Sequence, residues 1–294
     1  MAAIYTPQTL AAQTVSLAAV GDVMMARGVE KQCHKKGWDY PFVNVKAALR
    51  GADLAFANLE CPVTDQPVKS GQSVTFRADP ACLPALKRAG LSLLSVANNH
   101  SMDCGSVGLE DTLAGLQHQD ILAIGGGNSY AEATRGVVVI KNGLRVGFLG
   151  YSSFPEAAGK FQPDRPSIAI MSDERLIRSI RILKKRCDVV VLSCHWGFEG
   201  RTTHVAMQER LAHAAIDAGA SLVLGHHPHM AQEIEKYGSC IIVYSLGNCV
   251  FDVDGSRRSS GILLQCVLSK SGVLSYKSQR IRIRNCRPET VAGS

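Results

Sequence analysis

Short apolar runs recur along the chain at residues 15–20, 53–57, 91–96, 121–124, 188–194, 222–224 and 240–244. Runs of this length, bounded by polar and glycine-containing segments, fit strands buried on both faces. Helical spacing fills several of the gaps. Asp79-Pro80 opens one helix, with Asp as N-cap and Pro in the first turn, and Gly90 closes it. Ser106 opens a second, whose Leu109, Leu113 and Leu116 fall on one face. Met207, Leu211, Ala215 and Ile216 line a third, closed by Gly219. In a fourth, Leu176, Ile177, Ile180 and Leu183 form a dry face, and the basic residues from Arg175 to Arg186 form a wet one.

Hairpins interrupt this alternation. Asn142-Gly143 between the apolar runs 137–140 and 144–149 is the strongest short hairpin signal in the chain. Residues 262–268 and 273–283, joined around Lys270-Ser271-Gly272, form a second. The pattern predicts an α/β fold with mixed sheets and helices packed outside them. No repeat or low-complexity linker divides the chain, so one domain over 1–294 is expected. Its motif-bearing core is about 15–252, followed by the hairpin at 262–284. Residues 153–166 are the one long irregular stretch and read as a surface loop or lid.

Composition narrows the class. With 46% hydrophobic and 19% charged residues among 294, the chain can bury a large core, which excludes disorder. Ten cysteines form no C-x-x-C pair, and Cys194, Cys240 and Cys266 sit inside apolar runs, so a zinc ribbon or disulfide scaffold is excluded. The first 26 residues hold no Lys or Arg, and no apolar stretch approaches a membrane span, so the sequence reads as cytoplasmic. The net charge of +7 is concentrated in the basic helix face and in Arg280-Ile281-Arg282-Ile283-Arg284, which alternates as a half-exposed strand does. Both read as solvated faces. Without aromatic interleaving or a known module, nucleic acid is a poor fit as partner.

The chemistry collects at the ends of the apolar runs. Val20 leads into Gly21-Asp22, Phe56 into Asn58-Leu59-Glu60, and Val96 into Asn98-Asn99-His100. Leu192 leads into His195-Trp196, Leu224 into the run "GHHPH" at 225–229, and Tyr244 into Ser245-Leu246-Gly247-Asn248. Singly, a Gly-Asp is a turn and an Asn-Asn a cap. Six such ends together argue for one site outside the carboxyl ends of the strands. Alternation along an extended chain, reinforced by Pro228, predicts His227 and His229 on one side and His226 turned away. The inventory is Asp22, Glu60, Asn99, His195, His227 and His229, with His100 beside them. Carboxylate, amide oxygen and imidazole together suit Mn²⁺, Fe or Zn²⁺. No G-x-S-x-G elbow or phosphate-binding G-x-x-x-x-G-K-[ST] loop competes.

The blocks "GDVMMARG" (21–28), "ANLECPVT" (57–64), "VANNHSMDCG" (96–105), "CHWGFE" (194–199), "GHHPH" (225–229) and "VYSLGNCVFD" (243–252) resemble those of the CapA family. These are poly-γ-glutamate capsule biosynthesis proteins on the calcineurin-like metallophosphatase fold. The resemblance implies a four-layered αββα sandwich of two mixed sheets and a centre holding one or two divalent metal ions. By motif, Asp22, Glu60 and His229 would hold one ion. Glu60, Asn99, His195 and His227 would hold the other, with Glu60 bridging. His100 would act as general acid or oxyanion donor, with Asn99 beside it, and Arg27, Asn98 and Asn248 would meet an anionic substrate. Ordinary metallophosphatases differ at three of these positions: a histidine stands where this chain has Met24, an aspartate where it has Glu60, and an aromatic residue where it has Cys249. The function implied is that of a metal-dependent hydrolase of a phosphoester or an amide or peptide-like bond. The alternative is a component that binds or hands on poly-γ-glutamate without turnover. The partner is an anionic small molecule or poly-γ-glutamate.

Overall fold

The computed structural model describes residues 13–291, except 70, 72, 156–161, 254 and 256. Each of the seven apolar runs becomes a strand. Val15–Val23, Leu54–Leu59, Leu93–Ser95 and Leu122–Ile124 lie side by side and parallel in a first sheet. Ser260–Ser269, Gly272–Arg284 and Arg287–Thr290 extend that sheet antiparallel beyond Val15–Val23. Asn248–Val250 pairs with the carboxyl end of Val15–Val23, placing Asn248 opposite Asp22.

The second sheet is built on Leu144–Ser152, Val189–His195, Leu222–His226 and Cys240–Val243, again parallel. Val137–Lys141 and Ile234–Tyr237 close its two edges antiparallel. The hairpin at Asn142-Gly143 forms as the sequence predicts, with φ of 49° and 76° at the two turn residues. These are the left-handed values a two-residue turn demands and Asn-Gly tolerates.

Strand alternation sorts the core into layers. Leu17, Ala19 and Phe56 of the first sheet meet Val146, Val191 and Leu224 of the second in a core between the sheets. Their sequence neighbours Ala18, Val20 and Ala57 face outward, against Val29, Leu86 and Leu109 from the helices Arg27–Lys36, Leu83–Ala89 and Gly105–His118. On the far side, Val190, Leu192 and Val223 pack on Leu176, Ile180 and Leu211 from the helices Asp173–Lys184 and Ala206–Asp217. The result is a four-layered αββα sandwich, as the resemblance implies. Among the described residues no helix is long and apolar enough to cross a membrane.

Parallel strands end on the same edge, so the carboxyl ends of both central sets open toward one rim. Two glycines let them converge there. A Cβ on Gly21 would stand 1.9 Å from the Gly247 carbonyl oxygen, and one on Gly225 would stand 1.9 Å from that of Tyr244. Each glycine directly precedes a polar residue of the rim, Asp22 or His226.

Of the irregular stretch at 153–166, residues 156–161 lie outside the described residues. Its first turn covers the rim: the Phe154 ring is 4.1 Å from that of His227 and 5.7 Å from that of His195.

Candidate metal centre

The pairing of Val15–Val23 with Leu54–Leu59 shifts register between Ala19 and Asp22. Strict alternation would put Asp22 on the outer face with Ala18 and Val20. After the shift it meets the second sheet instead, where its carboxylate accepts hydrogen bonds from Asn58 Nδ2 at 2.9 Å and His226 Nδ1 at 3.1 Å. Glu60 follows the next strand, tied by its backbone N–H to the Val23 carbonyl at 2.9 Å. Its side chain is fully buried, and neither carboxylate oxygen has a hydrogen-bond partner among the described residues. A buried carboxylate left without donors is costly, and a cation is the usual remedy.

Imidazoles surround it. His195 Nε2 and His229 Nε2 each lie 3.7 Å from Glu60 Oε1. His227 Nδ1 is 3.2 Å from His195 Nε2, and Asn99 Oδ1 is 2.7 Å from the same nitrogen. Two groups result, one of Glu60, His195 and His227 and one of Asp22, Glu60 and His229, each with candidate ligand atoms within 4.8 Å of one another. Glu60 belongs to both. The donor set fits a divalent cation, and it is the set expected from the sequence.

The route to that geometry differs from the expected one. Leu222–His226 ends at His226, and His227 and His229 then adopt φ of 93° and 55°. The chain is therefore not extended through Pro228. A left-handed turn aims both rings at Glu60, in a conformation that L-residues adopt only under constraint. His226, expected to turn away, belongs to neither group of candidate ligands but still reaches the centre through Asp22. It is fully buried, bonded to Asp22, and packs 5.8 Å from the Phe56 ring. The sequence reading also missed Asn58, whose Nδ2 reaches both Asp22 and, at 3.3 Å, His195 Nδ1.

The two asparagines expected at the substrate hold the site instead. Asn98 is buried. Its amide donates to Asn58 Oδ1 and the Leu59 carbonyl, and its oxygen accepts from His100 N and Ser101 Oγ. Asn248 Oδ1 sits 2.9 Å from His229 Nδ1, and its amide donates to the Arg258 carbonyl. Both therefore position the loops and the His229 ring. Met24, at the position where the resemblance notes a missing histidine, is buried with its sulfur accepting from Ala26 N at 3.1 Å. Cys249 is also buried, its thiol pushed up to about 12 by burial and by the Asp22 charge.

Protonation follows the same geometry. Burial opposes the charged form of Asp22, yet hydrogen bonds from His226 and His229 hold its carboxyl well below the usual range. Burial and the Asp22 charge push Glu60 well above it. Burial pulls His195 well down, helped by His227, and takes His227 to about 4. His229 behaves oppositely: despite burial, the carboxylates of Glu60 and Asp22 raise it to about 9. Without metal the Asp22–Glu60–His229 group thus retains a proton at neutral pH, while His195 and His227 are neutral and able to donate lone pairs.

Beside the groups opens a cleft of about 270 Å³, lined among others by Arg27, Phe76, Asn99, His100, His229 and Arg258. His100 Nδ1 lies 2.9 Å from Asp103 Oδ2, and that oxygen also accepts from Phe76 N at 2.7 Å. The Phe76 ring lies 4.0 Å from His100, and the Arg27 guanidinium sits 4.6 Å above that same ring. Arg27 is also ion-paired with Asp252. Asp103, three residues after His100, was the one visible clue to this pairing.

The comparisons agree with the geometry. Residues 16–253 match the family described as bacterial capsule synthesis protein PGA_cap. The chain is 33% identical over 97% of its length to the PGA biosynthesis protein CapA of Bacillus subtilis, covering 76% of that protein. It is 32% identical over 96% of its length to the capsule biosynthesis protein CapA of Bacillus anthracis, covering 71%. Among solved structures, a 5'-nucleotidase precursor from Thermus thermophilus superposes over 94% of this chain and 55% of its own, with a TM-score of 0.56 at 14% identity. That likeness is one of fold. With a metallophosphatase-like sandwich and a sequence match over most of its length, the chain belongs to the family of bacterial capsule synthesis proteins.

Proposed function

We propose that this protein is a metal-dependent hydrolase serving poly-γ-glutamate capsule synthesis, acting on a phosphoester or on an amide or peptide-like bond. The observation that carries the reading is Glu60: a buried carboxylate with no hydrogen-bond donor among the described residues, between the His195–His227 pair on one side and His229 with Asp22 on the other. Asp22, Glu60 and His229 would hold one divalent ion, and Glu60, Asn99, His195 and His227 a second. Mixed oxygen and imidazole donors favour Mn²⁺, Fe or Zn²⁺. A bound ion supplies Lewis acidity, polarising the scissile group and acidifying a water.

The chain's own residues do the rest. Asp103 keeps a proton on His100 Nδ1 and fixes the ring, leaving Nε2 for the cleft. In the imidazolium form, Nε2–H can protonate a leaving group, with Asp103 stabilising the charge. Arg27, fixed by Asp252 and the Phe76 ring, presents a positive edge to an anionic substrate. Phe154 lies against His195 and His227 and limits water at the site.

A second reading, in which the cleft holds the polymer without cleaving it, draws on Arg27 and Arg258 among the cleft residues. Elemental analysis of protein purified without chelator, followed by a panel of phosphodiesters and γ-glutamyl peptides, separates the two. Bound metal with metal-dependent turnover supports the hydrolase. Metal-free protein that turns over nothing defeats it.

A further inference from the structure

The basic face of the helix Asp173–Lys184 is not merely solvated. It forms one wall of a cavity of about 420 Å³, whose opposite wall is the short helix Tyr130–Arg135. Among the described residues three arginines line it, Arg135, Arg175 and Arg178, and no Asp or Glu does. The rest of the described lining mixes Tyr130, Ala131, Tyr151 and Ile182 with the hydroxyls of Thr134 and Ser179. The cavity shares no lining residue with the cleft at the candidate metal centre.

The arginines differ in how they are held. Arg175 is set in place: its Nη1 donates to Tyr130 Oη at 3.3 Å, and its guanidinium lies 5.4 Å over the Tyr130 ring. Tyr130 Oη in turn donates to the Ile170 carbonyl at 3.1 Å. Arg135 and Arg178 have no ion-pair or hydrogen-bond partner among the described residues. Elsewhere arginines of this fold do find carboxylates, as Arg88 does with Asp39, Arg145 with Asp188 and Arg258 with Glu199. The guanidiniums of Arg135 and Arg178 and the positioned third of Arg175, converging on one concavity, create a positive field that no carboxylate among the described lining residues answers. Beneath the cavity, Tyr151 Oη donates to Ser179 Oγ at 2.7 Å, so this fully buried phenol is satisfied within the protein and places no demand on a ligand.

We infer that this cavity is a second binding site, taking a small aryl anion: a planar ring with one phosphonate, phosphate or carboxylate head. An inorganic anion alone would leave the exposed Ile182 and part-exposed Tyr130 side chains in contact with water, and a neutral ring would leave the guanidiniums unanswered. A ring against Tyr130 and Ile182 with its head among the arginines satisfies both. The site lies behind the metal centre. Tyr151 faces the outer layer, while its neighbour Ser152 pairs in register with His195. The proposal does not depend on metal or turnover.

Calorimetric titration of the full chain with phenylphosphonate, phenylacetate and benzyl alcohol tests it. Either anion should bind, more weakly as salt rises, and benzyl alcohol should bind much less. Preference between the two anions identifies the head group. The double variant Arg135→Gln/Arg178→Gln should lose about tenfold in affinity. Its circular dichroism and metal content should stay as in the parent, since both side chains are exposed. Arg178→Glu alone should weaken binding further by opposing the head group. Three results would overturn the site: no binding of either anion, equal binding of benzyl alcohol, or full affinity in the arginine variants. Binding that survives the arginine variants but is lost in His227→Ala would place the probe at the metal centre, which also overturns it.

Discussion

His226 Nδ1 lies 3.1 Å from Asp22 Oδ1 with both side chains fully buried, so a histidine from the second sheet backs a carboxylate from the first. The far nitrogen, Nε2, is buried without a partner among the described residues. A proton there would be stranded, so the proton belongs on Nδ1, donated to Asp22. This bond fixes which Asp22 oxygen is free to turn toward Glu60 and His229.

His226→Ala should therefore weaken metal binding about 10–100-fold without removing any candidate ligand, as loss of a ligand's supporting hydrogen bond does. It should also lower stability by about 2–4 kcal/mol, through a cavity and an undersatisfied Asp22. Metal titration alongside denaturant unfolding reads both effects. Unchanged affinity would mean that the contact is passive packing.

The imidazoles predict an unusual pH profile for the metal-free protein. His227 is depressed from 6.5 to about 4, so its contribution is present above pH 6.5 and lost as pH falls toward 4. His229 is raised from 6.5 to about 9, so its contribution is present below pH 6.5 and lost as pH rises toward 9. Thermal unfolding in chelator should show greatest stability near pH 6.5, falling on both sides. Metal must displace the His229 proton, so stabilisation by added Mn²⁺ or Zn²⁺ should grow between pH 6.5 and 9. A flat difference between metal-free and metal-loaded curves over that window would contradict the assignment of His229.

His100 and Asp103 test the catalytic reading separately from metal. His100→Ala should leave metal content intact and lower turnover of a phosphodiester about 10²–10⁴-fold, the range for loss of a general acid. Asp103→Asn should lower it less, since the ring stays but its partner loses charge. Equal turnover in His100→Ala would assign the proton transfer elsewhere.

Much of this was legible because local rules and the fold agree. The apolar runs at 15–20, 53–57 and 222–224 sit in parallel strands, and their trailing polar residues share one rim for that reason. The Asn142-Gly143 turn needed only local chemistry. What stayed hidden depends on tertiary constraint. The register shift before Asp22 reverses the face that alternation assigns to it. The positive φ at His227 and His229 is imposed by packing, against the local preference set by Pro228. The last strand, Arg287–Thr290, follows a turn in which Asn285 and Cys286 both have positive φ, without the glycine that would have announced it. Asn98 and Asn248 carry no sequence mark that distinguishes a residue holding a loop from one meeting a substrate.

The shared carboxylate offers the sharpest test of the two candidate groups. Glu60 is buried, has no hydrogen-bond donor among the described residues, and is pushed well above the ordinary carboxyl range by burial and the Asp22 charge. In the metal-free protein it is a source of instability, retained only if a cation answers it. Glu60→Gln removes the charge and its repulsion with Asp22 while keeping the shape. The metal-free variant should then be as stable as the parent or more so, by about 1–2 kcal/mol. Because Glu60 belongs to both groups, the same change should abolish the response of the melting temperature to Mn²⁺ and Zn²⁺. His227→Ala should remove only the ion held with His195, and His229→Ala only the ion held with Asp22. Melting curves and metal stoichiometry on the three variants resolve the pattern. A Glu60→Gln protein still stabilised by metal to the same extent would show that the ion binds elsewhere.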